Sequence, residues 1–340
     1  MLTVRPVRTA DLPAIERLAY DSGIGVTSLP ADRDRLFERI QRSNSSFEHE
    51  ATAGAGYEYY DFVLCDDGVV VGTAAVAAAA GFDEPFYSYR NEIFVHASRT
   101  LRVHNRVHVL NLCHDLTGMV QLCGFYVDPT HRQLGAELLS RARLMFIAGQ
   151  RLRFGKRIIA EMQGLHDEQG QSPFWNAIGR IFFDMDFPQV EQAFISHSKS
   201  FIAELMPNYP IYVPLLPDEA QDAISQVHPD SERTCQILMR EGFETDEYID
   251  IFDGGAVLTA DIDRLYTLQH SRLYRVEVVA ALPGDAKPRL MANERCAKYV
   301  ATLADSVLAA DGCVQIGTEA AEALGVTAGA WIRATDLQLG

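Results

Sequence analysis

Residues 119–149, MVQLCGFYVDPTHRQLGAELLSRARLMFIAG, constrain this chain more than any other stretch. Leu122-Cys123-Gly124-Phe125-Tyr126-Val127 is an apolar run without polar alternation, the pattern of a strand covered on both faces. Asp128-Pro129 ends it, since proline has no N–H to continue a ladder. Beyond the loop His131-Arg132-Gln133-Leu134-Gly135-Ala136, the residues Leu138, Leu139, Ala142, Met145, Phe146 and Gly149 recur at helical spacing. Arg141 and Arg143 fall off that stripe, and the helix is predicted to start near Gly135. A helix N-terminus presents unpaired N–H groups and the positive end of a dipole, and a glycine there lets a phosphate approach the main chain. Strand, R-x-x-G loop and helix therefore read either as a pyrophosphate cradle or as an ordinary βα junction.

This segment is similar to the acyl-CoA-binding core of the GCN5-related N-acetyltransferase superfamily, in which a strand leads through a loop of the type R/Q-x-x-G-x-G/A into a helix. With Leu138-Leu139 as anchor, Gly135 stands where the second glycine of that loop belongs; Arg132 is then displaced and the first glycine is missing. The opening RPVRTADLPAIERLA also resembles the superfamily's first strand and helix. The resemblance implies an α+β fold of the acyl-CoA N-acyltransferase (GNAT-like) type, a mixed central sheet flanked by helices. It also implies that Phe125, Tyr126, Val127, Arg132, Leu134, Gly135 and Ala136 contact an acyl-CoA.

At 340 residues the chain is long enough for a large core and for two domains. A formal charge of −16 argues against phosphate-backbone binding, so no nucleic-acid partner is expected, and it suits a cationic substrate. No apolar run reaches membrane-spanning length and MLTVRPVRTADLPAIERLA is no signal peptide, so the expected location is the cytoplasm, away from membranes. The six cysteines are scattered without a CxxC pair and read as reduced core residues.

In chain order, Leu2 to Val7 reads as a strand, Thr9 onward as a helix, Gly23 to Pro30 as a loop and Asp32 to Gln41 as a second helix. In the acetyltransferase arrangement that loop faces the acceptor; by composition it is equally a plain connection. Tyr57 to Cys65 and Val69 to Ala80 flank Asp66-Asp67-Gly68 as a hairpin. Arg90, beside Tyr87 and Tyr89, suits bidentate carboxylate binding or a surface pair with Glu84 or Glu92. His104 and His108 have metal-pair spacing only on a helix, and RVHNRVHVLNL reads as extended, so no metal site is expected. His114-Asp115 is either a polar pair near the sheet centre or a structural turn. Arg157 to Met162 is a second buried strand, parallel to the first, with Glu161 near a site or at the strand end. Ser172-Pro173 starts a helix. A proline-punctuated insertion follows at about residues 185–230, then a helix from Ser231 to Glu241 and a strand from Phe243 to Phe252. From residue 257 short strands and turns dominate, so the expected domains are 1–256 and a small, mostly β appendage, 257–340.

Eight phrases, GVTSLP (25–30), EPFYSYRNE (84–92), VHAS (95–98), CHDLTG (113–118), SPFW (172–175), FIAELMP (201–207), QVHP (226–229) and YIDIFDGG (248–255), are similar to the arginine N-succinyltransferase family in order along the chain. Within it, LCHDLTG, YPIYVPLLPDEAQ and ILMREGFETDEYIDIFDGG are most like an α subunit of a two-subunit enzyme. The resemblance implies succinyl transfer from succinyl-CoA to the α-amino group of L-arginine or L-ornithine, the entry step of arginine catabolism. It implies a hetero-oligomer with a homologous β subunit, or a homo-oligomer, and no tightly bound cofactor, with succinyl-CoA as cosubstrate. His228, in QVHP, is the implied proton donor, and Phe125 the implied succinyl-CoA contact. An alternative is a non-catalytic subunit that keeps the fold.

The chemistry is direct aminolysis. The amine attacks as its neutral form, backbone N–H groups near Gly124 to Val127 hold the oxyanion, and histidine protonates the leaving thiolate. Arg90 and Arg132 are the candidates for carboxylate or phosphate contact, and Asp115, Glu161 and Glu204 for the cationic end of the acceptor.

Overall fold

A computed structural model describes residues 1–23, 28–49, 56–196, 200–309 and 312–337. One sheet of 15 strands runs through the molecule. Ten strands make its main part: β1 (Leu2–Pro6), β2 (Tyr59–Asp66), β3 (Val69–Ala77), β4 (Ser88–Ser98), β5 (Val103–Cys113), β6 (Val120–Val127), β7 (Arg157–Glu161), β8 (Ile211–Tyr212), β9 (Glu244–Ile249) and β10 (Ala256–Asp261). They lie in the order β1-β2-β3-β6-β7-β10-β9-β4-β5-β8. All of these pairings are antiparallel except β6 with β7, as the sequence predicted. The hairpin β2–β3 and the extended run through His104 and His108 also stand where they were expected.

Helices α1 (Leu12–Asp21) and α2 (Arg33–Glu48) pack on the β1–β2–β3 side of the sheet. Helix α2 runs seven residues past the predicted Gln41, because its far end carries Phe47 into the core, where its ring meets Tyr60, Phe62 and Phe146 at 5.1–5.4 Å. Helix α3 (Arg132–Gly149) follows β6 and starts three residues before the predicted Gly135. It is not the one-sided helix that its periodicity suggests. Every residue from Gly135 to Ile147 is buried, Arg141 and Arg143 included, because sheet strands, the C-terminal unit and a later helix enclose it.

Ser172 caps α4 (Pro173–Ala177) by accepting a hydrogen bond from the Trp175 N–H at 3.3 Å. With α5 (Gly179–Phe183), α6 (Phe187–Ser196), α7 (Ser200–Leu205) and α8 (Asp218–Ala223) it builds a second apolar core around Trp175, Phe174 and Phe187 against β4, β5 and β9. The expected insertion is thus a helical layer, which α9 (Pro229–Glu241) and α10 (Tyr266–His270) follow.

The last five strands, β11 (Arg272–Val279), β12 (Lys287–Asn293), β13 (Ala301–Leu308), β14 (Cys313–Gly317) and β15 (Trp331–Asp336), form a ring β12-β15-β11-β14-β13 closed by a β12–β13 pairing. Helix α11 (Thr318–Leu324) packs against this barrel, which joins the main sheet through β13–β1. The expected boundary at 256/257 falls inside β10, which is sandwiched between β7 and β9 in the main sheet. Strand β10 therefore belongs to the first unit, and the barrel begins near Arg272. Among the described residues no helix is long and apolar enough to cross a membrane.

Candidate active site

Strands β6 and β7 pair only at Val120–Ile158, Gln121–Ile159 and Leu122–Ala160, and then part. Between the separated ends lies a cleft of two adjoining cavities. The larger of the two spans about 810 Å³, open solvent at its mouth included, and is lined from one side by Leu122 to Phe125 and from the other by Ala160 to Gln163. The second, of about 590 Å³, is lined by Phe125, Tyr126, Val127, Arg132 and Ala136 and leads to the start of α3; both share Phe125, Gln163, Ser231 and Thr234. This opening explains why β6 is not covered on both faces: Gln121, Cys123, Phe125 and Tyr126 are half-exposed.

A register shift against β3 marks a bulge in β6, where Gly124 adopts φ +57°, a left-handed conformation that glycine takes without strain. Its N–H, one of those expected to hold the oxyanion, is donated to the Ser28 hydroxyl at 2.9 Å. The Ser28 carbonyl in turn accepts from Arg39, whose Nε is 2.7 Å from the buried Asp61. The bulge is thereby anchored to α2. Ser28 belongs to the GVTSLP loop, of which residues 25–27 lie outside the described residues.

At the start of α3 no side chain makes a capping hydrogen bond. Arg132 lies at the rim, its Nη1 2.7 Å from Asp230 Oδ1. Gly135 serves packing rather than an open cradle: a Cβ there would sit 2.8 Å from Leu64 Cδ2. Leu134 is exposed and does not line the cleft.

His228 is the N-cap of α9. Its N–H is donated to the Gln163 carbonyl at 2.8 Å, and its ring stacks on His166 at 4.6 Å. Nδ1 is 3.3 Å from the Asp230 amide nitrogen and 3.7 Å from the Asp230 carboxylate. Burial first, and His166 second, push the His228 pKa below its ordinary 6.5, opposed by Asp230. His228 itself stands just outside the lining, beside Gln163 and Ser231, which belong to it.

The larger cavity carries four carboxyl groups, Glu161, Glu191, Asp250 and Asp253, and one guanidinium, Arg143. Glu161 accepts from Gln121 at 3.0 Å. Asp253 is buried and receives the N–H groups of Gly164 and Gly255 at 2.6 and 2.8 Å; burial beside Asp250 nevertheless raises its pKa well above the carboxylate range. A pocket with this many carboxyl groups suits a cationic ligand.

A family model described as arginine N-succinyltransferase beta subunit matches residues 2–267. The chain belongs to the arginine N-succinyltransferase family. It is 51% identical to arginine N-succinyltransferase subunit alpha of Pseudomonas aeruginosa over 98% of this chain and 99% of that one. It is 42% identical to the beta subunit of the same organism over 99% and 98%. The solved structure of arginine/ornithine succinyltransferase subunit AI from Pseudomonas aeruginosa superposes with a TM-score of 0.90 at 47% identity, over 99% of this chain and 98% of that one. The α+β fold expected from the central segment, a mixed central sheet flanked by helices, is thus the fold of the chain.

Against this arginine N-succinyltransferase framework, the predicted site residues divide. Phe125, Tyr126, Val127, Arg132, Ala136 and Glu161 line the cleft, and His228 adjoins it. Arg90 and Asp115 do not: they pair with each other at 2.8 Å, Arg90 also reaching Glu92 at 2.9 Å, on a half-exposed surface between β4 and the turn after β5. Glu204 is exposed on α7, away from the lining. Asp250, Asp253, Glu191, Gln163 and Arg143 were missed. The first two stand inside the YIDIFDGG phrase, and Arg143 is an arginine in an otherwise apolar helix, off its stripe; these were the signals the sequence offered.

Proposed function

We propose that this chain transfers a succinyl group from succinyl-CoA to the α-amino group of arginine or ornithine. The observation that carries the reading is the parting of β6 and β7 beyond Leu122–Ala160, which makes a cleft running from the uncapped start of α3 to an acidic pocket. The coenzyme's phosphates lie at the start of α3 and its pantetheine along Tyr126 and Phe125, so the thioester reaches the bulge at Gly124. The acceptor's cationic end faces Glu161, Glu191, Asp250 and Asp253.

The amine nitrogen attacks the thioester carbon, and the C–S bond breaks as the amide forms. His228 relays the proton. Burial keeps its ring neutral at rest, so it accepts the proton released by the attacking nitrogen; the Asp230 carboxylate steadies the imidazolium, which then protonates the thiolate. A thiol pKa of about 8.5 makes that last transfer downhill. Holding amine and thioester together contributes about 7–11 kcal/mol, against about 3–5 kcal/mol for proton relay, so positioning dominates.

The relatives are named as alpha and beta subunits, and the β4–β5 hairpin exposes Ile93, Val95, Leu101 and Val103. Both support assembly with a homologous chain. The test is release of free thiol from succinyl-CoA, dependent on arginine or ornithine, by the purified chain alone and with its sister subunit. Release in neither preparation refutes the reading, and release only with the sister chain assigns the chemistry to the assembly.

A further inference from the structure

One buried cation in the cleft lacks a counter-charge. Arg143 is 1% exposed, yet none of its described contacts is a carboxylate. Nη1 reaches the Ala75 carbonyl oxygen and Nη2 the Ser140 hydroxyl, each at the long distance of 3.4 Å, and the buried Nε has no hydrogen-bond partner. Arg141 Nη2 and Arg153 Nε are likewise unpartnered among the described residues, but the rest of each of those guanidinium groups is engaged at shorter distances than in Arg143. Arg141 meets Glu241 at 2.8 Å, Arg289 meets Asp336 at 2.8 Å, and Arg153 donates to three oxygens at 2.7–3.2 Å. Desolvation accordingly depresses the Arg143 pKa to about 10. Burying a charge without a partner is costly, so a position that keeps one is expected to meet its partner in a ligand.

The level of Arg143 in the cleft identifies that partner. Helix α3 runs back along β6, as the crossover between parallel strands requires. From Arg132 to Arg143 it descends about 16 Å at 1.5 Å per residue. The same distance back along β6 from Val127 is about five residues at 3.3 Å each, which is Leu122. Arg143 therefore stands where β6 and β7 come together, below the bulge at Gly124. This agrees with its place in the lining and with the ring of Phe125 5.1 Å from its guanidinium. An acyl-CoA whose phosphates sit at the start of α3 points its acyl tail at this floor.

We propose that Arg143 is a specificity-determining residue that binds the free carboxylate at the far end of the donor's acyl group. The inference rests on the reading of the cleft as a succinyl-CoA site and adds to it the group that tells a dicarboxylic acyl donor from a monocarboxylic one. Three poorly engaged donors, Nε, Nη1 and Nη2, match the two oxygens of a carboxylate. Burial favours the neutral form of Asp253, but Glu161, Glu191 and Asp250 elsewhere in the cavity would repel such a carboxylate, which leaves the acceptor's cation to them and the acyl carboxylate to Arg143.

The test compares succinyl-CoA with butyryl-CoA, which has the same four-carbon chain without the carboxylate. Calorimetry on the wild-type protein is expected to show succinyl-CoA binding roughly 10- to 100-fold more tightly, the factor for a charge-assisted hydrogen-bonded pair. Arg143→Met is expected to bring the two donors within about 3-fold, with coenzyme A binding and the KM for arginine unchanged, and Arg143→Lys to restore part of the preference. Equal binding of both donors by wild type overturns the proposal even if the variant does not fold. So does a preference that survives in Arg143→Met, or a defect that falls on the arginine KM. Absence of thiol release and of any acyl-CoA binding would instead remove the succinyltransferase reading itself.

Discussion

Replacing Arg143 by methionine should make the ligand-free protein more stable. The guanidinium's pKa falls from its ordinary 12.5 to about 10, with desolvation as the largest cause, which corresponds to about 3 kcal/mol against the charged form in the fold. The sign follows from the direction: a depressed pKa in a base means that the fold disfavours the cation, so the cost is present throughout the neutral range. Methionine keeps the stem's volume and its contact with Phe125, while the cation–π contact, worth about 1–2 kcal/mol, is lost. The two hydrogen bonds at 3.4 Å lie at the weak end and add little. The net expectation is about 1–2 kcal/mol of added stability for Arg143→Met. Urea unfolding followed by circular dichroism reads this as a higher midpoint without a change in slope. Succinyl-CoA at a high multiple of its Kd should narrow or close that gap, and reverse it where the variant binds about 100-fold more weakly. At 100 times its wild-type Kd the donor stabilises the wild type by about 2.7 kcal/mol, but a variant bound 10- to 100-fold more weakly by only about 0.4–1.4 kcal/mol. A ligand-free variant less stable than wild type by more than about 2 kcal/mol would show that the guanidinium is a satisfied structural group, and the reasoning would fail.

His228→Gln should lower kcat by roughly 10²- to 10⁴-fold. In the wild type, the fall of kcat with decreasing pH should steepen below 6.5, where the depressed His228 pKa lies, beneath the shallower limb of the acceptor amine, which titrates near about 8; a steepening that persists in the variant counts against the relay. Gly135→Ala drives a Cβ to 2.8 Å from Leu64 Cδ2, a side-chain end that can shift, and gains about 1 kcal/mol of helix propensity, so stability should stay within about 1 kcal/mol of wild type in denaturant unfolding, while Kd for coenzyme A stays within about 3-fold. A large loss of coenzyme affinity at unchanged stability would restore the phosphate-cradle role for this glycine. Glu241→Leu removes the carboxylate that Arg141 Nε meets at 2.8 Å and that receives the Thr267 N–H and hydroxyl at 2.8 and 2.7 Å. The stranded charge should cost about 3–5 kcal/mol, seen as a lower urea midpoint, and a loss below about 1 kcal/mol would mean that Glu137, 3.8 Å from Arg141, suffices alone.

What the chain's own order of residues determined is the local architecture and the kinship. An apolar run ended by Asp128-Pro129, followed by helical spacing, made β6 and α3 legible. Ser172-Pro173 marked a helix start, and Asp66-Asp67-Gly68 a hairpin turn. These signals act within a few residues, through backbone hydrogen bonding and side-chain period, so they are written in the sequence. The phrases shared with the arginine N-succinyltransferase family carried the function in the same way.

Tertiary structure alone decided which polar groups meet. Periodicity told that Arg141 and Arg143 lie off the apolar stripe of α3, but not that other elements would close over that face as well. Nor could it tell that Arg141 would find Glu241 while Arg143 would find no carboxylate among the described residues. Arg90 and Asp115 were sensible candidates as residue types, yet β4 and the turn after β5 set them against each other, outside the cleft. Asp250 and Asp253 stand about 90 residues from Gln163 in sequence and share a cavity with it because β9 and β10 return beside β7. Electrostatic pairing depends on distance in space and on exclusion of water, and neither quantity is a property of neighbours along the chain.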